Sequence, residues 1–427
     1  MHVYTAPVVV PVAGEPIREG AIGVDDGRIA YVGPAADAPE AEGATAFDGI
    51  VAPGLVNAHT HLCYTAFADM YGNEKEFFEW IQEFARRNPE TADEVWKASV
   101  RQGIEESLAH GVTAVADIVT PAAAFEALFE SELAGVAYWE ACFIDDAAWE
   151  VRRSAWRDVV TDNRAVNNSD IAVGISPHTL YTLGTEVGKS LAELARTLDI
   201  RLHPHLAETS HEDMFVRRGS GPFAFMNRRA GLELEIADGG AGHSPATQMD
   251  KVGWLGADAH VAHGVHLDKA DRELLRSRGT AVALCARSNA RLEAGEPPVA
   301  DLRAEGNTVA IGTDSRASSP DLDVAAEWPV LRRLALAQGD GGEGLNEWLV
   351  RAATEGGAKA LGRSDIGVLK VGARADLAVF DVPTEGDPYA ALVTGAAGNC
   401  TATVLKGKLL KGDPLEDQPS QDEPLEP

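Results

Sequence analysis

Five short segments hold residue types that could grip a divalent ion and move protons. They are His59-Thr60-His61, His178, His205 with Glu208 three positions later, His263, and Asp314. Alternate residues of a β-strand point to one face, so His59 and His61 can both turn toward a single ion. The pair alone is weak, because two histidines two apart also arise as hydrogen-bonded core features. Its position strengthens it. The largely apolar run at 51–58 delivers the pair to the carboxyl end of a buried strand, where α/β barrels place their chemistry.

His205 ends another such stretch, and Glu208 stands just beyond it as a candidate acid or base; the competing reading is a helix N-terminal acid held by the macrodipole. Asp314, in Gly312-Thr313-Asp314-Ser315, would cap the next helix if it stood alone, but here it completes a mixed nitrogen and oxygen ligand set. Three histidines and one carboxylate with an open position suit one catalytic Zn²⁺ per subunit, and Fe²⁺ or Mn²⁺ match the same donors. Such an ion lowers the pKa of bound water to about 7, so hydrolysis beside Glu208 is the expected chemistry. His263 is expected to hydrogen-bond the nucleophile or polarise the attacked centre, with a role as a further ligand as the alternative. His178 is either a substrate contact or a satisfied turn histidine. His203 is expected to support the site, and His2, His110, His211, His243, His260 and His266 are read as structural or surface residues. No lysine ends the fourth strand, which favours one ion over two.

Positioning these residues requires a scaffold of alternating strands and helices. Apolar runs near 51–57, 112–118, 136–144, 171–176, 200–205, 259–265, 280–285 and 308–312 read as eight strands, the count of a (β/α)8 TIM barrel. Between them lie helical stretches. One, at 91–110, carries Trp96, Val100, Ile104 and Leu108 on one face, with Thr91 and Glu94 as a capping box; Leu191, Leu194 and Leu198 mark another. Residues 219–251 form a long, Gly-rich stretch, read as irregular and as either a lid or a peripheral insertion. Short β-like runs at 8–10, 21–24 and 29–32 are matched near the other end by 368–371, 376–380 and 401–405. The expected organisation is a discontinuous β-sandwich from 1–50 and 365–412, a barrel over 51–364, and a disordered acidic tail at 413–427.

At 427 residues and 45% hydrophobic content the chain can bury a sizeable core, yet no segment approaches the ~20 apolar residues of a membrane span. A formal charge of −29 repels nucleic-acid phosphates, so the expected partner is a small molecule rather than nucleic acid or membrane, and a homodimer is allowed. The amino terminus lacks a secretory layout, which points to the cytoplasm. Four scattered cysteines, Cys63, Cys142, Cys285 and Cys400, form no CxxC pair and read as buried free thiols.

As a set, Pro53-Gly54-Leu55-Val56-Asn57-Ala58-His59-Thr60-His61, His205-Leu206-Ala207-Glu208-Thr209, Ala262-His263-Gly264-Val265-His266-Leu267, Arg287-Ser288-Asn289, Gly312-Thr313-Asp314-Ser315 and the return segment 367–380 resemble the metal-dependent amidohydrolase superfamily. The similarity is to the branch of S-adenosylhomocysteine, methylthioadenosine and aminodeoxyfutalosine deaminases, guanine deaminase and triazine chlorohydrolases. Phe77-Phe78-Glu79-Trp80, Gly219-Ser220-Gly221-Pro222-Phe223 and Ser288-Asn289-Ala290-Arg291-Leu292 resemble the aminodeoxyfutalosine group most. Leu284-Cys285-Ala286 departs from the His and Pro that many members carry there, and no Arg closely follows His61. The resemblance implies His59, His61, His205 and Asp314 as metal ligands, Glu208 as proton shuttle to a ring nitrogen, and His263 as partner of the attacking oxygen.

The implied activity is hydrolytic deamination of a cyclic amidine, an adenine-type nucleoside with a modified 5′ position first. Asp314 would help pass a proton to the leaving ammonia, and Glu208 and His178 would meet substrate. A dechlorinase, a guanine or cytosine deaminase, or a cyclic-amide hydrolase are the alternatives. A non-catalytic interaction module is the remaining class, and an intact ligand set argues against it.

Overall fold

A computed structural model describes residues 1–72, 77–166 and 170–411; the acidic tail expected at 413–427 lies outside the described residues. At the amino end, β1 (His2–Val9), β2 (Ile17–Asp25) and β3 (Arg28–Pro34) form an antiparallel meander. The β2–β3 hairpin turns at Asp26 and Gly27, both at positive φ (46° and 72°), as a two-residue primed turn requires. Strand β4 (Gly43–Ala46) pairs with β1, and β5 (Ile50–Pro53) continues the sheet.

Two four-stranded parallel sheets follow. The first orders β6 (Leu55–Thr60), β7 (Val112–Val119), β8 (Ala134–Ala141) and β9 (Ile171–Pro177). The second orders β10 (His205–Leu206), β11 (His260–His263), β12 (Ala281–Leu284) and β13 (Val309–Ile311). Single parallel bridges join them at both margins: Ile175 to Leu202 and Leu202 to Ala259 on one side, Thr60 to Asp314 on the other. Strand β14 (Leu377–Phe380) then pairs with β5, and β15 (Cys400–Leu405) and β16 (Lys408–Lys411) complete one eight-stranded sheet built from both chain ends.

The expected single strand at 51–57 is in fact two. Gly54 separates β5, which belongs to the terminal sheet, from β6, which starts the parallel set. The strand expected at 200–205 shrinks to His205–Leu206, because Pro204 offers no N–H and Ala207 turns out at φ 52°. The run at 368–371 is no strand; Leu369 donates its N–H to the Pro11 carbonyl from an irregular segment.

Helix α1 (Phe77–Arg87) precedes α2 (Asp93–Ala109), which lacks the expected capping box. Thr91 Oγ1 instead donates to the Arg87 carbonyl, finishing the preceding turn, and Ala92 occupies the N-cap. The stretch 219–251 is irregular only in part: helices run at Pro222–Ala230 and Pro245–Val252, each ended by a glycine at positive φ, and the chain between them holds just a short turn at Glu235–Ala237.

Between the parallel strands, Val56, Ala58, Ala114, Ala116, Val136, Tyr138, Ala281, Ala283 and Ala310 form a buried cluster separate from the main core. They lie at every second position of their strands, so the intervening residues pack outward against the helices. Mostly small side chains let the strands approach closely below the histidines.

Candidate active site

His59 and His61 sit at the end of β6, and their placement is fixed from the neighbouring strand end. Thr313 and Asp314 both donate backbone N–H to the His59 carbonyl (3.1 and 3.0 Å). The Asn57 side chain donates to Thr313 Oγ1 at 2.7 Å and accepts from the Thr313 N–H at 3.0 Å. A Cβ on Gly312 would lie 2.7 Å from the His59 Cβ, so only glycine allows this approach. Just past His61, Asp117 Oδ1 accepts the Leu62 N–H at 2.7 Å.

The hydrogen bonds assign the imidazole tautomers. His203 Nδ1 faces the His260 carbonyl at 3.0 Å and must donate to it, so His203 Nε2 accepts from His59 Nδ1 at 2.9 Å. That leaves the His59 Nε2 lone pair free, and this buried atom has no partner. By the same logic His205 Nδ1 donates to the His178 carbonyl at 3.2 Å, freeing Nε2, which lies 3.4 Å from His61 Nε2. Asp314 Oδ1 is 3.8 Å from His59 Nε2 and 3.6 Å from His61 Nε2. Four donors about 2.1 Å from a tetrahedral ion stand about 3.4 Å apart. The separations among His59, His61, His205 and Asp314 and the unpartnered His59 Nε2 therefore suit one such ion between these four residues. Burial lowers the pKa of all three imidazoles, His61 to about 4, so each is neutral and ready to ligate.

The other Asp314 oxygen accepts from Ser288 Oγ (2.6 Å) and Ser318 Oγ (3.0 Å). Next along the same helix, Asn289 Oδ1 faces His263 Nδ1 at 3.0 Å, which turns His263 Nε2 toward Glu208 Oε1, 3.8 Å away. Arg287 completes this sequence motif by anchoring the helix on Glu327 and Asp321 (2.6 and 2.7 Å). Burial, with the Asp314 charge second, holds the Glu208 carboxyl well above its ordinary range. Glu212 Oε2 accepts the Glu208 N–H at 3.1 Å and fixes the turn. Ala207, His263 and Asp314 all adopt positive φ (52°, 71° and 61°), strain stored at three of the strand ends that meet here.

A cavity of about 360 Å³ opens on these groups, with His61, His178, His205, Glu208, His263 and Asp314 in its wall. His59 lies fully buried beneath it. The remaining wall is largely aromatic, with Phe77, Trp80, Phe84 and Tyr181. His178 belongs to the cavity; its Nδ1 lies 3.1 Å from Thr182 Oγ1. His203 and His260 stack 3.7 Å apart under the site, His260 Nε2 facing the Ala58 carbonyl at 2.9 Å, so both orient β6 rather than face the cavity. Reading the chain alone missed Glu140, Glu212 and the roles of Ser288 and Asn289. Only the Arg287-Ser288-Asn289 resemblance hinted at the last two; an isolated strand-end Glu carries no local signal.

Parallel strands that end in such a cluster define the class of α/β-barrel hydrolases. The chain belongs to the amidohydrolase family, whose model matches residues 50–410, and it is a hydrolase of carbon–nitrogen bonds in cyclic compounds. It is 31% identical over 422 residues to the 5-methylthioadenosine/S-adenosylhomocysteine deaminase of Moorella thermoacetica, covering 94% of this chain and 92% of the relative. An adenosine deaminase from Xanthomonas campestris with bound zinc superposes with TM-score 0.82 at 26% identity, covering 98% of this chain and 94% of the other. The aminofutalosine deaminase of Helicobacter pylori, in complex with methylthio-coformycin, shares the fold at TM-score 0.81 and 19% identity, covering 96% and 100%. The fold is accordingly TIM-barrel-like. No helix among the described residues is long and apolar enough to cross a membrane.

Proposed function

We propose that this chain deaminates an adenine-type nucleoside modified at the 5′ position, an aminodeoxyfutalosine-like compound first among them, and releases ammonia. The carrying observation is geometric: Glu208 Oε1 stands 3.8 Å from His263 Nε2 on the cavity that also holds His61, His205 and Asp314. The substrate class draws support from the Moorella relative, whose name states a 5′-modified adenosine substrate.

His59, His61, His205 and Asp314 would hold one divalent ion, zinc before iron or manganese. When bound, the ion supplies Lewis acidity and lowers the pKa of water toward about 7. Glu208 presents its proton to a ring nitrogen, drawing electrons from the amino-bearing carbon. His263 Nδ1 donates to Asn289 Oδ1, so its Nε2 accepts a hydrogen bond from the attacking water and orients it. Asp314 Oδ1 takes up one proton of the water and returns it to the departing amine, while the hydroxyl proton of the adduct goes back to Glu208, so water and the amino compound become a ring carbonyl and ammonia. The aromatic wall packs the heterocycle and excludes bulk solvent.

The scaffold inferred for this chemistry is a closed (β/α)8 barrel that begins at β6, with a discontinuous β domain from both chain ends that takes in β5. Its setting is cytoplasmic.

The test is Glu208→Gln, which keeps the side-chain volume but has no proton to give. We expect metal content unchanged by elemental analysis and kcat lowered by about 10²-fold or more. Normal ammonia release from that variant would overturn the assignment. Ammonia assays of the parent enzyme across adenosine, methylthioadenosine, S-adenosylhomocysteine and aminodeoxyfutalosine would name the substrate.

A further inference from the structure

Glu140 closes strand β8 in the cavity wall, 9% exposed, and takes no part in the chemistry above. A relay orients its carboxylate. Asn88 Nδ2 donates to the Tyr64 hydroxyl (3.3 Å), that hydroxyl donates to Thr120 Oγ1 (2.7 Å), and Thr120 donates to Glu140 Oε2 (2.8 Å). The second oxygen, Oε1, is buried with no partner. Among the described residues no lysine or arginine lines the cavity, and burial lifts the Glu140 carboxyl to about 7. A buried acceptor left open in a ligand cavity costs free energy unless something that enters the cavity donates to it.

Strand order sets what can reach it. His178 follows β9 and stands between Glu140 on β8 and His205 on β10, with ligand-type atoms of the three within 4.8 Å of one another. A second metal ion is a poor occupant, because His205 Nδ1 already donates to the His178 carbonyl and its Nε2 faces His61. Glu140 and His178 instead present a carboxylate oxygen and an imidazole edge side by side in the cavity wall. That arrangement matches neighbouring hydroxyl groups, each able to donate to one atom and accept from another.

We infer that Glu140, with His178 beside it, is the specificity-determining contact for the vicinal sugar hydroxyls of the nucleoside. The inference rests on the nucleoside reading above. It assigns recognition of the sugar to β8 and the chemistry on the base to β10, β11 and β13.

The test is calorimetric binding of two non-reacting products, inosine and 2′,3′-dideoxyinosine, to the metal-loaded full chain. The parent protein is expected to bind inosine at least about tenfold more tightly. In Glu140→Gln, which preserves shape and an acceptor for Thr120, the preference should shrink to within about twofold while dideoxyinosine affinity and metal content stay unchanged. Equal binding of the two by the parent protein, binding of neither, or a preference that survives Glu140→Gln overturns the inference. The deaminase reading fails separately: a diol preference without ammonia release from any adenine nucleoside sinks that reading and leaves the subsite standing, and ammonia release with equal binding does the reverse.

Discussion

At the scale of single residues, the site depends on side chains that never touch a ligand. His203 receives the proton of His59 Nδ1 and so aims the His59 lone pair at the ion position. His203→Phe fills the same space but removes that acceptor; we expect metal affinity to fall by about 10–100-fold in a chelator competition, with the fold intact. Asp117 offers a pH-dependent test. Burial lifts its carboxyl from 3.8 to about 8, so the folded chain keeps a proton that the unfolded chain has already lost. Between those two values the folded state binds more protons, and stability falls as pH rises through the window. Asp117→Asn has no such proton. Denaturant melts of the two proteins should therefore diverge progressively from pH 5 to pH 8, the Asn variant gaining with rising pH, whatever constant offset the amide introduces. Parallel pH dependences would show that Asp117 is ionised in the fold.

At the scale of elements, β6 and β13 act as one unit. Gly312 lies so close to His59 that a methyl group must push the backbones apart. Gly312→Ala should cost about 1–3 kcal/mol by denaturant melt and reduce bound metal, since the same displacement moves Asp314 away from His61. The candidate metal-binding residues are readable in the chain because each lies at the end of an apolar run, and strand periodicity brings such ends to one side. Strand limits at 200–205 were not readable, because Pro204 and the left-handed Ala207 break the ladder without breaking the apolar pattern. Helix α2 misled for a related reason: the preceding turn at 88–90 ends on Thr91, which donates to the Arg87 carbonyl, and the helix starts one residue later with Ala92 at its N-cap. Glu140 was invisible for want of a partner in sequence; its relay joins residues 88, 64 and 120, which meet only once the strands are assembled.

At the scale of the whole molecule, the terminal sheet and the parallel strands are held together through Arg374. This buried guanidinium reaches Asp170 (2.7 Å) and Asp376 (3.0 Å from Nε), and also donates to the Glu132 carbonyl. Arg374→Met would leave Asp376, itself buried, without its counter-charge. A loss of about 3–5 kcal/mol is expected in the metal-loaded protein, and a smaller one would mean that Asp376 takes up a proton instead.

Strand β5 lies between β1, made at the very start of the chain, and β14, made more than three hundred residues later. During synthesis one flank of β5 therefore stays unpaired until β14 has left the ribosome. A nascent chain stalled near residue 360 presents that naked edge to every other nascent chain nearby. Chaperone demand should thus be greatest late in translation, and ribosome-bound chains halted before β14 should be more prone to cluster than those halted beyond β16.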